Sequence, residues 1–285
     1  MHSNPATLRG ALWMGGTVLS FAAMAVAVRE LQRHMGSFEI LFLRSAVMLA
    51  IDGAMLPRSG VPTLRTRRIG THVLRNLLHL AGQYCWVYSI GALTLATVFA
   101  IEFTMPVWTA LLAAAFLGER LHRGRLAQLA LGVAGVLIIL RPGAGAFHPA
   151  ALVMILGSLC YAATIIFTKR LSATDSPLAV AFWMSAVQTP IALGAAVPHW
   201  VAPMAADLPW ILGIGVGSFT AHYCLTHSMK LVDATLAVSI DFTRLPLIAI
   251  VGAAFYGEAF DPLVIVGAGV IFAGTWTGLV RESRR

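Results

Sequence analysis

The stretch TLATVFAIEFTMPVWTALLAAAFLGE (94–119) returns later in the chain as DATLAVSIDFTRLPLIAIVGAAFYGE (233–258). Each copy carries one carboxylate in its middle, Glu102 or Asp241, followed by Phe-Thr, a proline (Pro106 or Pro246) and a closing Gly-Glu. The echo reaches further back, from Tyr84 and Ser89 to Tyr223 and Ser228, at the same offset that carries Glu102 to Asp241. An apolar run of about 20 residues is long enough to cross a hydrocarbon layer of about 30 Å. A carboxylate inside it is expensive and so marks function. A proline removes a backbone hydrogen bond and tends to kink the helix.

Working outward, the chain reads as apolar stretches at 10–28, 38–56, 70–90, 94–117, 124–140, 149–168, 177–197, 208–229, 234–256 and 262–280. The expected fold is an all-α integral membrane protein of ten transmembrane helices, in two five-helix repeats over 1–145 and 146–285. An odd number of spans per repeat places the two copies in opposite orientations, the plan of many secondary transporters. Composition agrees: 58% of the 285 residues are hydrophobic and 11% charged, with mean hydropathy +0.81, against about 25% charged in soluble domains. The expected solvent is the lipid bilayer, and the first apolar run is expected to be a retained span rather than a signal peptide.

The net charge of +8 does not point to nucleic acid, because the positives fall in alternate loops. With the N-terminus inside, the inner loops and tails receive Arg9, Arg58, Arg65, Arg67, Arg68, Arg120, Arg123, Arg125, Lys169, Arg170, Lys230, Arg281, Arg284 and Arg285. The outer loops receive only Arg29, Arg33 and Arg141. That bias predicts cytoplasmic termini. Cys85, Cys160 and Cys224 lie in apolar spans without metal-ligand spacing.

The remaining ionisable residues are the candidates for function. Arg44 is expected roughly 9 Å and Glu102 roughly 12 Å below the outer boundary, at 1.5 Å per residue. Arg75 and Asp241 are expected roughly 8 and 10 Å above the inner boundary. The shared depths predict two ion pairs, Arg44–Glu102 and Arg75–Asp241, with Arg244 left to meet a substrate carboxylate or phosphate. Arg75, His79, Gly82 and Trp86 share one helical face. Pro106 and Pro246 mark spans four and nine as the kinked, moving, cavity-lining pair. Glu119 and Glu258 read as helix terminators with structural salt bridges, and His72 as a wetted residue at the inner interface. His222 and His227 are not at the spacing of a helix-borne metal pair. Spans five and ten are rich in glycine and alanine, which suits close packing inside one subunit or a homodimer face equally well.

Ten spans in two repeats, with a proline in each fourth span and a closing Gly-Glu, resemble the drug/metabolite transporter superfamily of the EamA type. More narrowly, Ser37-Phe38-Glu39 with Arg44, His72-Val73-Leu74-Arg75 and Val232-Asp233-Ala234-Thr235 resemble its bacterial S-adenosylmethionine uptake carriers. The resemblance implies a proton-coupled or exchange carrier of the bacterial inner membrane. It also implies a cavity between spans three, four, eight and nine, where this chain offers Arg75, His79, Glu102, His222, Tyr223, Asp241 and Arg244. Both signs of charge favour a small zwitterionic or anionic organic metabolite. The rival class is an intramembrane enzyme acting on lipid or headgroup substrates. The chain lacks a P-loop, a His-Glu-x-x-His and a Gly-x-Ser-x-Gly run, so no enzyme activity and no cofactor are expected.

Overall fold

The computed structural model describes residues 5–59, 64–117, 123–141, 148–171, 174–232 and 234–283. Its regular structure is helical, without strands among those residues. The α-helices are α1 (Pro5–Leu31), α2 (Ser37–Ser59), α3 (Ile69–Ala92), α4 (Leu95–Glu102), α5 (Met105–Leu117) and α6 (Arg123–Leu140). In the second half they are α7 (Ala150–Leu171), α8 (Pro177–Ala196), α9 (Leu208–Met229), α10 (Ala234–Asp241), α11 (Arg244–Tyr256) and α12 (Pro262–Ser283). Gly118, Glu119, Asp233 and the expected repeat boundary at 145 lie outside the described residues.

Spans four and nine are each broken in two, and the break precedes the proline. A proline ring clashes with the carbonyl four residues earlier. For Pro106 that carbonyl belongs to Glu102, the last residue of α4, and for Pro246 it belongs to Phe242, just past α10. Each proline then lies in the first turn of the next helix, where a missing N–H costs little. The threonine in each break returns its hydroxyl to a carbonyl of the preceding turn: Thr104 Oγ1 to Ile101 O at 2.7 Å and Thr243 Oγ1 to Ile240 O at 2.6 Å. The two breaks meet face to face. Phe103 and Phe242, equivalent residues of the echo, stack with centroids 4.1 Å apart.

The main packing pairs are α1 with α9, α3 with α7, α2 with α8 and α6 with α12. This set maps onto itself when the two halves are exchanged, since α1–α9 becomes α7–α3 and the other two pairs return themselves. The α6–α12 contact explains the small residues there. A Cβ on Gly135 would fall 2.6 Å from Gly267 O, and one on Gly267 2.7 Å from Gly135 O. These glycine faces therefore cover each other within the chain.

Among the described residues, six segments are long and apolar enough to cross a membrane: Thr7–Leu31, Leu95–Phe116, Ala150–Leu171, Leu178–His199, Ala205–Met229 and Ser239–Tyr256. Leu126–Leu140 and Pro262–Thr277 are shorter apolar helices. The expected ten include α2 and α3, which are not among the six. They are the two helices that carry the polar interior: Glu39, Arg44 and Asp52 on α2, and His72, Arg75, Asn76, His79 and Gln83 on α3, all buried. Large apolar side chains face outward instead, with Leu19, Phe116, Ile250 and Phe255 each more than 60% exposed. This inside-out polarity belongs to a protein dissolved in lipid.

Candidate functional site

A cavity of about 540 Å³ opens between α2, α3, α7, α8 and α9. Its wall includes Asp52, Arg75, Thr168, Phe219, His222 and Tyr223, and its rim includes Asp175 and Lys230. Small-molecule sites commonly enclose roughly 300–1,000 Å³. Of the residues expected in a cavity, Arg75, His222 and Tyr223 line this one. Arg44, His79, Glu102, Asp241 and Arg244 are not in its wall. The broken spans α4–α5 and α10–α11 are not in it either, contrary to the expectation that they line the cavity.

Arg75 reaches the wall from α3. Its Nε donates to Thr168 Oγ1 at 3.1 Å and its Nη1 to Asn76 Oδ1 at 2.7 Å. Behind it lies a second cation. Arg44 is only 2% exposed, with Nη1 donating to Ser218 Oγ and Nη2 to Gln188 Oε1, both at 2.8 Å. Gln188 Nε2 stands 2.9 Å from His79 Nδ1 and donates to Asn76 O at 3.2 Å. The amide nitrogen is a donor, so His79 Nδ1 accepts. His222 Nδ1 lies 2.9 Å from the Ser218 carbonyl and must donate to it. Arg44, Arg75 and His222 are all within electrostatic reach of His79.

Neither Arg44 nor Arg75 meets a carboxylate among the described residues, so the expected pairs Arg44–Glu102 and Arg75–Asp241 do not form. The reason is Arg244, which takes both acids. Its Nη2 lies 3.2 Å from Glu102 Oε1 and 3.2 Å from Asp241 Oδ2. Its guanidinium sits over the rings of Phe21, Phe99 and Phe103 at 4.7 to 5.0 Å. Trp86 Nε1 donates to Glu102 Oε2 at 2.8 Å. Arg244 is thus the clamp of both helix breaks, not the free cation expected of it. Common depth fixes height in the bilayer but not direction around the helix. The pair Asp241–Arg244, three residues apart, was the signal available.

One further residue departs from expectation and one meets it. His72 is fully buried, with Nε2 2.7 Å from Asp175 Oδ2, because the chain after α7 folds over it. Glu258 makes the structural salt bridge expected of it, with Arg29 of the other half, and also accepts Leu95 N at 2.8 Å. Asn76 and Gln188, which organise the buried cations, escaped the sequence reading. Their signal was an uncharged amide in an apolar span.

The EamA-like transporter family profile matches residues 8–141 and again 148–278. The S-adenosylmethionine uptake transporter of Rickettsia bellii is 27% identical over 263 residues, covering 92% of this chain and 90% of its own length. The riboflavin transporter of Rhizobium johnstonii is 30% identical over 279 residues, covering 97% of this chain and 92% of its own. A solved crystal structure shares the fold with TM-score 0.68 at 18% identity, over 96% of this chain and 98% of that one. Two family matches, one on each half of an all-helical chain that turns its apolar residues outward, place this protein in the EamA-like transporter family.

Proposed function

We propose that the protein is a secondary transporter that moves a small zwitterionic or anionic organic metabolite across the bacterial inner membrane by alternating access. The carrying observation is the pair of buried guanidiniums at the cavity, Arg75 in its wall and Arg44 behind, with only neutral partners among the described residues. A buried cation without an anion is costly. A carboxylate or phosphate entering the cavity would supply that anion. In this reading the halves are inverted five-span repeats, divided near residue 145, with both termini cytoplasmic. The cavity then faces the cytoplasm, since Asp175 and Lys230 stand at its rim.

The relatives transport S-adenosylmethionine and riboflavin by name. The first carries a carboxylate with cationic groups, and the second is uncharged. The arginine in the cavity wall favours the first chemistry. The test is uptake into proteoliposomes holding the purified full chain, with radiolabelled S-adenosylmethionine and riboflavin as probes. Runs with an imposed proton gradient or with internal unlabelled solute separate proton coupling from exchange. Accumulation lost in Arg75→Gln supports the reading. Binding without any movement of solute, under either driving force, defeats it.

A further inference from the structure

We propose that the cavity is built for a zwitterion, with Asp52 as the seat of its cationic group and Arg75 as the seat of its anionic group. This rests on the carrier reading above and specifies its ligand. Asp52 stands on α2 and forms part of the cavity wall, yet it is only 1% exposed. One oxygen is satisfied, since Oδ2 accepts the Ser185 hydroxyl at 2.7 Å. The other, Oδ1, is buried and has no hydrogen-bond partner among the described residues. Buried polar atoms in native proteins are nearly always paired. An orphaned carboxylate oxygen beside a void is satisfied by what enters the void.

The rest of the wall fits the same guest. Asp52 and Arg75 lie on neighbouring helices, and no ion pair joins them. Arg75 commits Nε and Nη1 to Thr168 and Asn76, which leaves Nη2 for a ligand. Asp175, the other carboxylate at the cavity, is already engaged by His72. On α9, Phe219 and Tyr223 stack with centroids 5.8 Å apart and offer an apolar flank. A pure anion would satisfy Arg75 but leave Asp52 without a donor. A pure cation would do the reverse. An uncharged molecule would leave both charges uncompensated, and each uncompensated charge counts against the wrong ligand. The class that satisfies both is amino-acid-like: an ammonium and a carboxylate on one compact body with an apolar portion.

The test uses the purified full chain in detergent. Thermal shift and equilibrium binding are measured with S-adenosylmethionine and the proteinogenic amino acids as zwitterions, and with riboflavin as the uncharged comparator. The best zwitterion is then compared with its deaminated and decarboxylated analogues. In Asp52→Asn, affinity for the zwitterion is expected to fall at least about tenfold, or about 1.4 kcal/mol, while affinity for the deaminated analogue is retained. Arg75→Gln is expected to give the mirror result with the decarboxylated analogue. Ligand-free Asp52→Asn is expected to melt no lower than wild type, because an orphaned charge has been removed; an aspartate with a purely structural role would lose stability instead. If Asp52→Asn does not yield folded protein, Asp52→Glu, with its carboxylate displaced by one methylene, is expected to bind the zwitterion more weakly. Unchanged zwitterion affinity in either variant overturns the proposal. So does a wild type that binds the deaminated analogue as tightly as the parent, or one stabilised by no zwitterion in the panel. Riboflavin alone binding and accumulating would overturn it and leave the carrier reading intact. A zwitterion that binds through Asp52 but never crosses the liposome membrane would do the opposite.

Discussion

The two ends of the molecule use their charges differently. At the end of Asp175 and Lys230 a cavity of about 540 Å³ is open. At the other end a void of only about 10 Å³ lies beside Thr94, Ala249 and Glu258, and charges are joined across the halves. Arg29 pairs with Glu258 and also donates to Leu93 O at 2.9 Å. Tyr256 donates to Glu30 at 2.9 Å, and Arg141 pairs with Asp261. At the open end Arg75 and Asp52 each retain an atom with no partner among the described residues. Two halves of similar sequence and matching helix pairs have reached opposite arrangements at the two ends. The difference therefore lies in which contacts are made, not in which helices are present. In the proposed cycle the sealed end would open by surrendering the Arg29–Glu258 latch, and the open end would close around a ligand that satisfies Arg75 and Asp52.

The largest effect is expected at the waist between the ends. Arg244→Ala leaves Glu102 and Asp241 buried without their cation, and breaking such a cluster costs about 3–5 kcal/mol. Thermal unfolding in detergent should show it as a large loss of Tm, with Arg244→Lys losing less. A wild-type Tm in Arg244→Ala would mean that the waist does not hold the two ends in register.

Next comes a site away from both ends. Gly135→Ala on α6 forces a methyl to within 2.5 Å of Ile271 Cγ1 and 2.6 Å of Gly267 O. A backbone carbonyl cannot move aside as a flexible side chain would, and overpacking of this kind costs about 1–3 kcal/mol. The expected result is a lower Tm with cysteine accessibility unchanged at both ends. A change in accessibility would show that the α6–α12 contact takes part in the difference between them.

The latch itself is a direct test. Glu258→Gln removes the charge that holds Arg29 while keeping an acceptor for Leu95 N. Losing about 1.4 kcal/mol from the sealed state shifts its population against the open one tenfold. A cysteine at Ala249, which is 9% exposed and borders the small void, should then react with a soluble maleimide about tenfold faster. The same substitution in the Glu258 background, and the chain without it, supply the reference rates. Equal rates in both backgrounds would reduce the latch to a static tie.

What the sequence revealed follows from what lipid makes conspicuous. A charge or a proline in an apolar run stands out, so Arg44, Arg75, Glu102, Asp241, Arg244 and the two helix breaks were legible. Their partners were not. Arg244 reaches Glu102 across 142 positions of sequence, and no spacing rule carries that far. The breaks were placed at the prolines, although the steric conflict lies one turn earlier, at Glu102 and Phe242. His72 was read as interfacial because it lies near the end of a span, and Asp52, near the inner end of span two, was not among the candidate site residues. Both are buried by α8 or by the chain leading into it, where Ser185 and Asp175 meet them.

The smallest effect compares two histidine–aspartate contacts, one at each end. At the open end, burial pushes the Asp175 carboxyl up, but hydrogen bonds from Thr66, His72 and Thr174 outweigh it and hold it below its ordinary 3.8. At the sealed end, the Met204 N–H, together with His34, holds Asp207 below 3.8 against a weaker upward push from burial. A carboxyl whose pKa is lowered by folding stabilises the fold above its unfolded value, and that contribution is lost as pH falls through the folded value. Asp175→Asn should therefore melt below wild type at neutral pH by an amount set by one or two hydrogen bonds, about 0.5–1.5 kcal/mol each. The gap should narrow as the pH drops below 3.8. Asp207→Asn should show a smaller gap with the same sign, because the His34 side chain is 28% exposed while that of His72 is fully buried, and water screens the wetter contact. If the Asp175 gap instead widened on acidification, the contact would be stabilised by its protonated form, and the open end would be held by a neutral hydrogen bond rather than by charge.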